Sequence, residues 1–525
     1  MNFYIRTNFS NKLGIGHIIR TIRLSRRLSR LGHACIFFLD KNIVNNFSFL
    51  QKVNVQTLYK NNKSFKNETE DAKLFIEFTK KFSKGNVIVD DYRLTYKWEK
   101  LVRKHQLKII AFDDLEKKHY ADVIINSKIK DATKNSFIKN NLKKKFQLLL
   151  GPKYCIIENS VKLKKNKFKN FQIIFYVGGG GNLYPIIKII NYLQPMISTL
   201  KRNIFFIVIV GPLTKNKNKI IQLSRKYKNV KPVIGENNII EYFKSSKIFV
   251  GSSGTSIYET AYSKIPSLLF QISKNQQNQT LMMEKIGHYL NLGSRDFKNY
   301  FKIAKLILLL VIKYKRFKRM IVNPEIKIDE KGLDRIISSL YKISSKKYNS
   351  HDSLFKKRLS KNNNHKYKIR SVNDKDINHY LLSRNLKINR KNSISQKKIG
   401  TLNHYLWWLN TKRESFVLTK NDKRILYFFH ECIFLNKRKY WWGGWFPTSE
   451  SCEINEILYA LKNQLEITSK ISEKTKWISV IKKNNRIALN LIKNLGFKEL
   501  KIQVPLAQSI KKKFHTSNNF IYFTN

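Results

Sequence analysis

The stretch NFYIRTNFSNKLGIGHIIRTIRLSRRLSRLGHACIFFL, residues 2–39, decides the fold. It opens with an apolar strand over 2–8, passes through a glycine-containing loop, and continues in a helix over 17–31 with apolar residues on one face. Gly32 ends the helix, and residues 34–39 form a predicted buried strand. A strand–loop–helix–strand unit of this kind predicts a parallel sheet flanked by helices.

The loop inside this unit carries the residues best suited to chemistry. Gly14, Gly16 and His17 stand at the predicted start of the helix, and Arg20 follows one turn later. Glycines let a phosphate approach the backbone, and a helix N-terminus favours the negative charge of a diphosphate. A histidine can move a proton near neutral pH; the alternative is a helix-start residue bonded to a local carbonyl. Arg20 is predicted either to bind substrate or to lie on the helix surface.

Strands and helices alternate beyond this unit in two successive sets. The first set has strands over 86–90 and 107–112, and the second begins near Phe171 with a strand that ends in a run of glycines. This pattern favours an α/β protein with two doubly wound, Rossmann-like domains, at 1–160 and 161–343. Strand ends and helix N-termini would converge in a cleft between the two domains.

The rest of the chain has a different character. Residues 344–366 are mostly Ser, Lys, Asn and His, and we predict that they form a linker. Residues 367–525 form a predicted third, α+β domain that is rich in tryptophan. A length of 525 residues and a hydrophobic fraction of 42% are consistent with several folded domains.

Cysteine spacing and hydropathy indicate the compartment. The four cysteines lie far apart without CxxC spacing, which predicts a reducing compartment and no structural zinc. No signal peptide is visible, and the longest apolar run, 303–312, is shorter than a bilayer span and contains a lysine. We therefore expect a cytoplasmic protein with no transmembrane segment.

The formal charge of +67 raises the question of a nucleic-acid partner. However, lysines are spread along the whole chain among Asn and Ile, and no nucleic-acid-binding motif accompanies them. We expect no specific nucleic acid. A basic surface would instead attract an anionic sugar nucleotide or a phospholipid surface.

Polar residues at the predicted strand ends supply further candidates. Asp90 and Tyr92 follow one strand of the first set, where an acidic side chain either faces the crevice or caps local amides. Glu259 of the second set is suited to the two hydroxyls of a ribose, or alternatively to a capping box. The other substrate-binding candidates of the second domain are Gly178, Gly179, Gly254, Thr255, Ser256, Asn275 and Gln276.

In order and spacing these motifs resemble the UDP-sugar hydrolases of pseudaminic acid biosynthesis. The resemblance covers about residues 1–340 and rests on Gly14-x-Gly16-His17-x-x-Arg20, Asp90-x-Tyr92, Asp113-Asp114-Leu115, Leu150-Gly151-Pro152-Lys153-Tyr154 and the series Gly254, Glu259, Pro266, Asn275-Gln276. It implies a GT-B-like arrangement of the two domains, similar to that of two-domain glycosyltransferases. One departure is Asn182 after the glycine run, where the family tends to have Asp-Pro.

This resemblance implies a reaction. The family hydrolyses UDP-2,4-diacetamido-2,4,6-trideoxy-β-L-altropyranose to the free sugar and UDP, with inversion and without a metal or other cofactor. His17 would orient or deprotonate the attacking water, and Tyr92 would bind the sugar or assist proton transfer. The helix N-terminus and the second-domain loop would stabilise charge on the leaving diphosphate.

The third domain carries one readable signature. Asn485-Arg-Ile-Ala488 followed by Leu495-Gly-Phe497 is similar to the late motif of GNAT acyltransferases. This similarity implies acetyl-CoA as a cofactor, with Asn485 near its pantetheine arm. Two departures are the absence of the family's glycine-rich pyrophosphate loop from 447–453 and the presence of Ile492 where a general-acid tyrosine is expected. The clustered tryptophans are predicted to be core.

Together these motifs favour an enzyme of nonulosonic acid synthesis that acts on a UDP-linked amino sugar. Its third domain would N-acetylate the amino-sugar nucleotide. One alternative is a GT-B-type glycosyltransferase, which would need an acceptor, whereas a hydrolase releases UDP with water alone. The other is a basic binding protein whose catalytic groups are relics.

Overall fold

The computed structural model describes residues 1–10, 14–40, 50, 53–59, 64–128, 141–142, 145–157, 170–235, 239–272, 280–342 and 367–525. The chain divides into two compact units, Met1–Ser350 and His351–Asn525. The predicted linker, 344–366, and the candidate residues Asn275 and Gln276 lie outside the described residues. Within the described ranges no helix is long and apolar enough to cross a membrane.

The first unit begins with a seven-stranded parallel sheet in the order β3-β2-β1-β4-β5-β6-β7. Its strands are β1 (Asn2–Thr7), β2 (Ala34–Leu39), β3 (Val55–Thr57), β4 (Asn86–Asp90), β5 (Lys108–Phe112), β6 (Val123–Asn126) and β7 (Gln147–Leu150). Three of its helices are α1 (Gly16–Arg30), α2 (Glu68–Thr79) and α3 (Tyr96–Arg103). The strand order reverses between β1 and β4, so the carboxyl ends of these two strands open a crevice.

Apolar residues bury this sheet on both faces. Ile5 and Ile88 pack on the side of α1, where Ile18 contributes to the same core. Tyr4, on the opposite face of β1, belongs to a core that includes Trp98 of α3. Continuous apolar strands are what a sheet covered by helices on both faces requires.

A second parallel sheet follows, in the order β10-β9-β8-β11-β12-β13. Its strands are β8 (Phe171–Tyr176), β9 (Ile204–Val210), β10 (Val230–Ile234), β11 (Ile248–Ser252), β12 (Ser267–Phe270) and β13 (Leu290–Leu292). Its helices are α4 (Tyr184–Ile197), α5 (Lys217–Lys226), α6 (Ile240–Ser245), α7 (Ser256–Tyr262), α8 (Thr280–Glu284), α9 (Tyr300–Ile312), α10 (Tyr314–Met320) and α11 (Gly332–Lys342). Both sheets thus have the Rossmann-type strand order that alternating strands and helices predict.

Two late helices of this unit contribute to its cores. The apolar run 303–312 lies in α9, which packs against α4 and buries Ile303 and Leu306. Helix α11 returns to the first sheet, where Ile336 joins the core around Ile18. The first unit is therefore held together by a helix that lies late in its sequence.

The second unit contains a mixed seven-stranded sheet in the order β14-β15-β16-β17-β18-β20-β19. Its strands are β14 (Tyr367–Ser371), β15 (Glu414–Lys420), β16 (Lys423–Leu435), β17 (Arg438–Pro447), β18 (Trp477–Lys482), β19 (Lys498–Leu500) and β20 (Phe520–Thr524). Its helices are α12 (Ile377–Arg384), α13 (Lys387–Lys391), α14 (Thr401–Asn410), α15 (Ile454–Ile471), α16 (Arg486–Asn494) and α17 (Pro505–Phe514). Trp408 and Trp441 are buried in this unit, whereas Trp407, Trp442 and Trp445 are only half-buried.

β17 and β18, which are neighbours in this sheet, pair over only part of their length. β17 and β18 run parallel but pair only through Trp441 with Trp477 and Trp442 with Ile478. Beyond these residues the two strands diverge. The remaining edge of β17 leaves backbone groups without a partner from β18.

Candidate functional site

The loop before α1 meets the loops of the second sheet at the crevice. An added Cβ on Gly16 would lie 3.6 Å from Thr255 Oγ1, and one on Gly179 would lie 2.1 Å from Ile15 Cγ1. Only glycine at position 179 permits this approach, because any side chain there would collide with Ile15. The structure therefore brings together candidate residues that are far apart in the sequence.

Two further glycines shape these loops. Gly14 and Gly178 have φ values of 78° and 83°, in the region that favours glycine. Ser252, at the end of β11, lies close to Gly178, and Ser256 is buried at the start of α7. Gly254 is half-buried in the loop between them. Hydroxyl and amide groups thus line the second-sheet side of the crevice.

His17 forms the centre of the opposite side. Its Nδ1 lies 2.6 Å from Asp90 Oδ1, at the carboxyl end of β4. Arg20 binds the same carboxylate through Nε and Nη2, each at 2.6 Å. Because Nδ1 donates to a carboxylate, Nε2 carries the lone pair of the neutral imidazole.

A second carboxylate and Tyr92 complete this cluster. Asp114 Oδ2 accepts hydrogen bonds from Arg20 Nη1 at 2.9 Å and from the Tyr92 hydroxyl at 3.0 Å. The Tyr92 ring stands edge-on to the His17 ring, with centroids 4.4 Å apart. Asp114 thus links Tyr92 to the arginine that also holds Asp90.

Burial and neighbouring charges set the pKa values of Asp90 and Tyr92. Burial alone would raise the pKa of Asp90, but the charge of Arg20 and the hydrogen bonds from Arg20 and His17 hold it well below its ordinary value. Burial and the adjacent Asp114 carboxylate raise the pKa of Tyr92. Asp90 is therefore an anion at neutral pH and Tyr92 a neutral hydroxyl donor.

The structure decides between the two alternatives for Arg20 on one side only. The side chain does not lie exposed on the helix surface, since Asp90 and Asp114 hold its guanidinium in a buried position. Substrate binding by Arg20 stays a prediction. Burial opposes its positive charge, but the two carboxylates raise its pKa well above the ordinary value. Arg20 is a residue that positions Asp90.

The structure contradicts one of the two roles predicted for Glu259, the capping box. It does not form a capping box, because the residue that caps α7 is Thr255, whose side chain makes no capping hydrogen bond. Its Oε1 instead pairs with Arg23 Nη1 of α1 at 2.8 Å. The pair joins the two halves of the first unit beside the crevice.

Sequence reasoning missed two contacts across the crevice. Arg23 lies on α1 one turn after Arg20, a spacing that places both on the same helix face. The Tyr258 hydroxyl of α7 donates to the Ser127 carbonyl at 2.7 Å. Arg23 could have been recognised from the sequence, because it follows His17 and Arg20 at helical spacing.

A second buried histidine lies behind the cluster. His119 Nδ1 forms a hydrogen bond with Glu99 Oε1 at 2.8 Å. Its Nε2 lies 3.0 Å from Asp113 Oδ2, which makes an ion pair, but the angle is too poor for a hydrogen bond. Burial lowers the pKa of His119, but the adjacent Asp113 carboxylate and the hydrogen-bonded Glu99 carboxylate raise it to about 9. This imidazolium fixes Asp113, the neighbour of Asp114.

In the second unit the structure places Asn485 at a helix start. Its Oδ1 accepts from the Ala488 amide at 3.2 Å and caps α16. This role is structural and requires no cofactor.

The start of α15 does not suit a diphosphate. Glu453 and Glu456 form a capping box that occupies the backbone amides of both residues, and Glu456 also pairs with Lys420 at 3.0 Å. A diphosphate would meet carboxylates there instead of free amides.

Among the described residues no group of three or more His, Cys, Asp or Glu side chains is arranged to hold a metal ion.

No protein-family model matches the chain. The chain is similar to the uncharacterized protein MJ1062 of Methanocaldococcus jannaschii, with 26% identity over 323 residues, 58% of this chain. That match spans 61% of the length of MJ1062. It is also similar to the UDP-2,4-diacetamido-2,4,6-trideoxy-beta-L-altropyranose hydrolase of Campylobacter jejuni, with 22% identity over 292 residues, 55% of this chain and 98% of that protein.

Among solved structures, MurG of Acinetobacter baumannii aligns with 65% of this chain and 100% of its own, at 8% identity and a TM-score of 0.45. The strand order of the two parallel sheets defines the fold of the first unit.

Proposed function

We propose that the first unit hydrolyses a UDP-linked amino sugar, and that its substrate is UDP-2,4-diacetamido-2,4,6-trideoxy-β-L-altropyranose. The observation that carries the proposal is the His17–Asp90–Arg20 arrangement at the mouth of the crevice. Support for the substrate comes from the similarity to the Campylobacter jejuni hydrolase over nearly its whole length.

In this proposal His17 is the general base. Nδ1–H donates to Asp90, so Nε2 accepts a proton from water while the water oxygen bonds to the anomeric carbon. The bond from that carbon to the diphosphate oxygen breaks, and its electron pair leaves with UDP. Tyr92, which donates to Asp114, packs edge-on against the imidazole and limits its movement.

The second-sheet side would hold the nucleotide. Thr255, Ser256 and the loop glycines lie opposite Gly16, where hydroxyl and amide donors suit a diphosphate. Glu259 would accept ribose hydroxyls through its second oxygen while Arg23 holds the first. With the general base His17 beside the first sheet and the nucleotide bound beside the second, the anomeric carbon would lie between them.

The test is UDP release with water as the only acceptor. We expect the full chain to produce UDP and free sugar, observable by NMR, and His17→Gln to slow turnover by about 10²- to 10⁴-fold while the fold is kept. His105→Gln is the matched control, because His105 is an exposed histidine of the same domain. UDP release that requires an added sugar acceptor would identify the glycosyltransferase alternative, and no release under either condition would favour the binding-protein alternative.

We also propose that the second unit is a GNAT-like domain that takes an acyl thioester, acetyl-CoA, and an amino-sugar nucleotide. The divergence of β17 and β18 after Trp442 favours this proposal, since free strand-edge groups there could bind amide groups of a ligand. The carboxylates at the start of α15 argue against the usual place for the diphosphate. Release of free thiol from acetyl-CoA in the presence of the 4-amino precursor tests it, and no release refutes it.

A further inference from the structure

Positive charge is concentrated in one segment of the second unit. Residues 377–413 contain eight Lys and Arg residues and no Asp or Glu. Three arginines of this segment influence one another: burial, together with the charges of Arg413 and Arg390, lowers the pKa of Arg384. Repulsion of this kind is relieved when an anion binds between the cations.

The three arginines differ in their partners. Arg413 pairs with Glu431 at 3.0 Å and lies over the Phe429 ring, 4.0 Å from its centroid. In the described part of the chain no carboxylate forms an ion pair with Arg384 or Arg390.

The hydrogen bonds of these two arginines are few and weak. Arg384 Nη1 is buried without a hydrogen-bond partner, and Nη2 reaches only the Ser395 carbonyl at 3.4 Å. Arg390 donates to the carbonyls of Asn385 and Gln396 at 3.1 and 3.5 Å. A guanidinium in this state retains donors for a bidentate anion such as phosphate.

The helix that contains Arg390 borders the divergence of β17 and β18, and Arg384 is close enough to Arg390 for the charge of one to act on the other. Helix α13, which contains Arg390, is tied to the end of β17 by Asn389 Nδ2, which donates to the Pro447 carbonyl at 2.8 Å. It is tied to the end of β18 by Lys482, whose amino group donates to the Lys391 carbonyl. Helix α13 therefore spans the opening between the two strands.

We propose that Arg384 and Arg390 bind a phosphate group of a ligand that enters the opening between β17 and β18 from the side of α13. The site deepens the proposed ligand-binding role of the second unit and does not depend on hydrolysis by the first. Two sources share this chemistry: the diphosphate of a nucleotide sugar and the phosphates of coenzyme A. For either source, the site supplies the cations that the start of α15 lacks.

Calorimetric titration of the full chain with UDP, coenzyme A and inorganic phosphate tests the site. The double variant Arg384→Gln/Arg390→Gln should weaken at least one of these ligands by about tenfold or more, because it removes charge-assisted hydrogen bonds. Lys397→Gln/Lys398→Gln is the matched control, since it removes two exposed charges from the same segment. Circular dichroism melts establish that both variants remain folded.

The stoichiometry separates this site from the first unit. If both units bind UDP, the wild-type chain takes up two equivalents and the arginine variant one; if only this site binds UDP, the count falls from one to zero. If the arginine variant loses only coenzyme A binding, the phosphates of coenzyme A are the source. If it loses only the binding of inorganic phosphate, the site is a general phosphate site. No binding by the wild-type chain, unchanged affinities in the arginine variant, or an equal loss in the lysine control overturns the proposal.

Discussion

Asp90→Asn tests the proposed base most directly. The Asp90 side chain is fully buried and takes part in three contacts of 2.6 Å, with His17 Nδ1, Arg20 Nε and Arg20 Nη2. An asparagine amide offers one oxygen in place of two and directs N–H donors at one of these partners. The substitution therefore removes the charge and leaves at least one donor facing another donor.

The size of the effect follows from burial. Breaking a buried ion pair by changing one partner costs about 3–5 kcal/mol, and Asp114 retains part of the Arg20 interaction, so we expect a loss of about 3 kcal/mol in unfolding free energy. His17 loses the group that fixes its tautomer, and positioned general bases contribute about 10²- to 10⁴-fold to rate. We expect kcat to fall within that range while KM changes little.

A double-mutant cycle provides the assay. UDP release is measured for Asp90→Asn, His17→Gln and the combined variant at a temperature where urea titration shows all three to be folded. If Asp90 acts through His17, the combined variant is no slower than His17→Gln alone, because residues that act as a unit are not additive. Multiplied losses in the combined variant would refute this reasoning.

Three other changes have defined outcomes. Raising pH through 9 should destabilise the first unit, because the pKa of His119 is raised from 6.5 to about 9 in the folded protein; the stabilisation is complete below pH 6.5, is lost above 9, and amounts to about 3 kcal/mol. Urea unfolding at pH 6 and 9.5 measures it, and His119→Gln should remove that pH dependence. Gly179→Ala should strongly reduce UDP release, because the new Cβ would lie 2.1 Å from Ile15 Cγ1, whereas Gly293→Ala, with open space around its Cβ, should leave it unchanged. Glu259→Gln should raise KM about tenfold with kcat nearly constant, since it weakens charge-assisted bonds to the nucleotide; a fall in kcat alone would contradict a binding role.

Much of the fold of the first unit could be predicted from sequence because its signals are local. Apolar strands such as 86–90 end at polar or glycine residues, and helices such as α1 carry their apolar residues on one face. The predicted strand and helix ends differ from the observed ones by one or two residues in the first sheet. In the second unit the parallel contact of β17 with β18 could not be predicted, since it depends on non-local pairing.

The candidate site shows where sequence reasoning reached its limit. His17 and Asp90 could be singled out because each stands at the end of a predicted element. The burial of Arg20 could not, because it depends on β4 and β5 lying side by side and placing Asp90 and Asp114 within reach of one guanidinium. The pairing of Arg23 with Glu259 likewise joins two helices that flank different sheets.

The return of α11 to the first sheet has a consequence for how the chain folds during translation. Ile336 and Ile337 complete the core around Ile18, yet α11 follows α1 by about 300 residues. At about 5–20 residues per second, the ribosome makes α11 roughly 15–60 s after α1. During this interval the core around Ile18 lacks Ile336 and Ile337, so the first sheet completes its core only after the second has been synthesised.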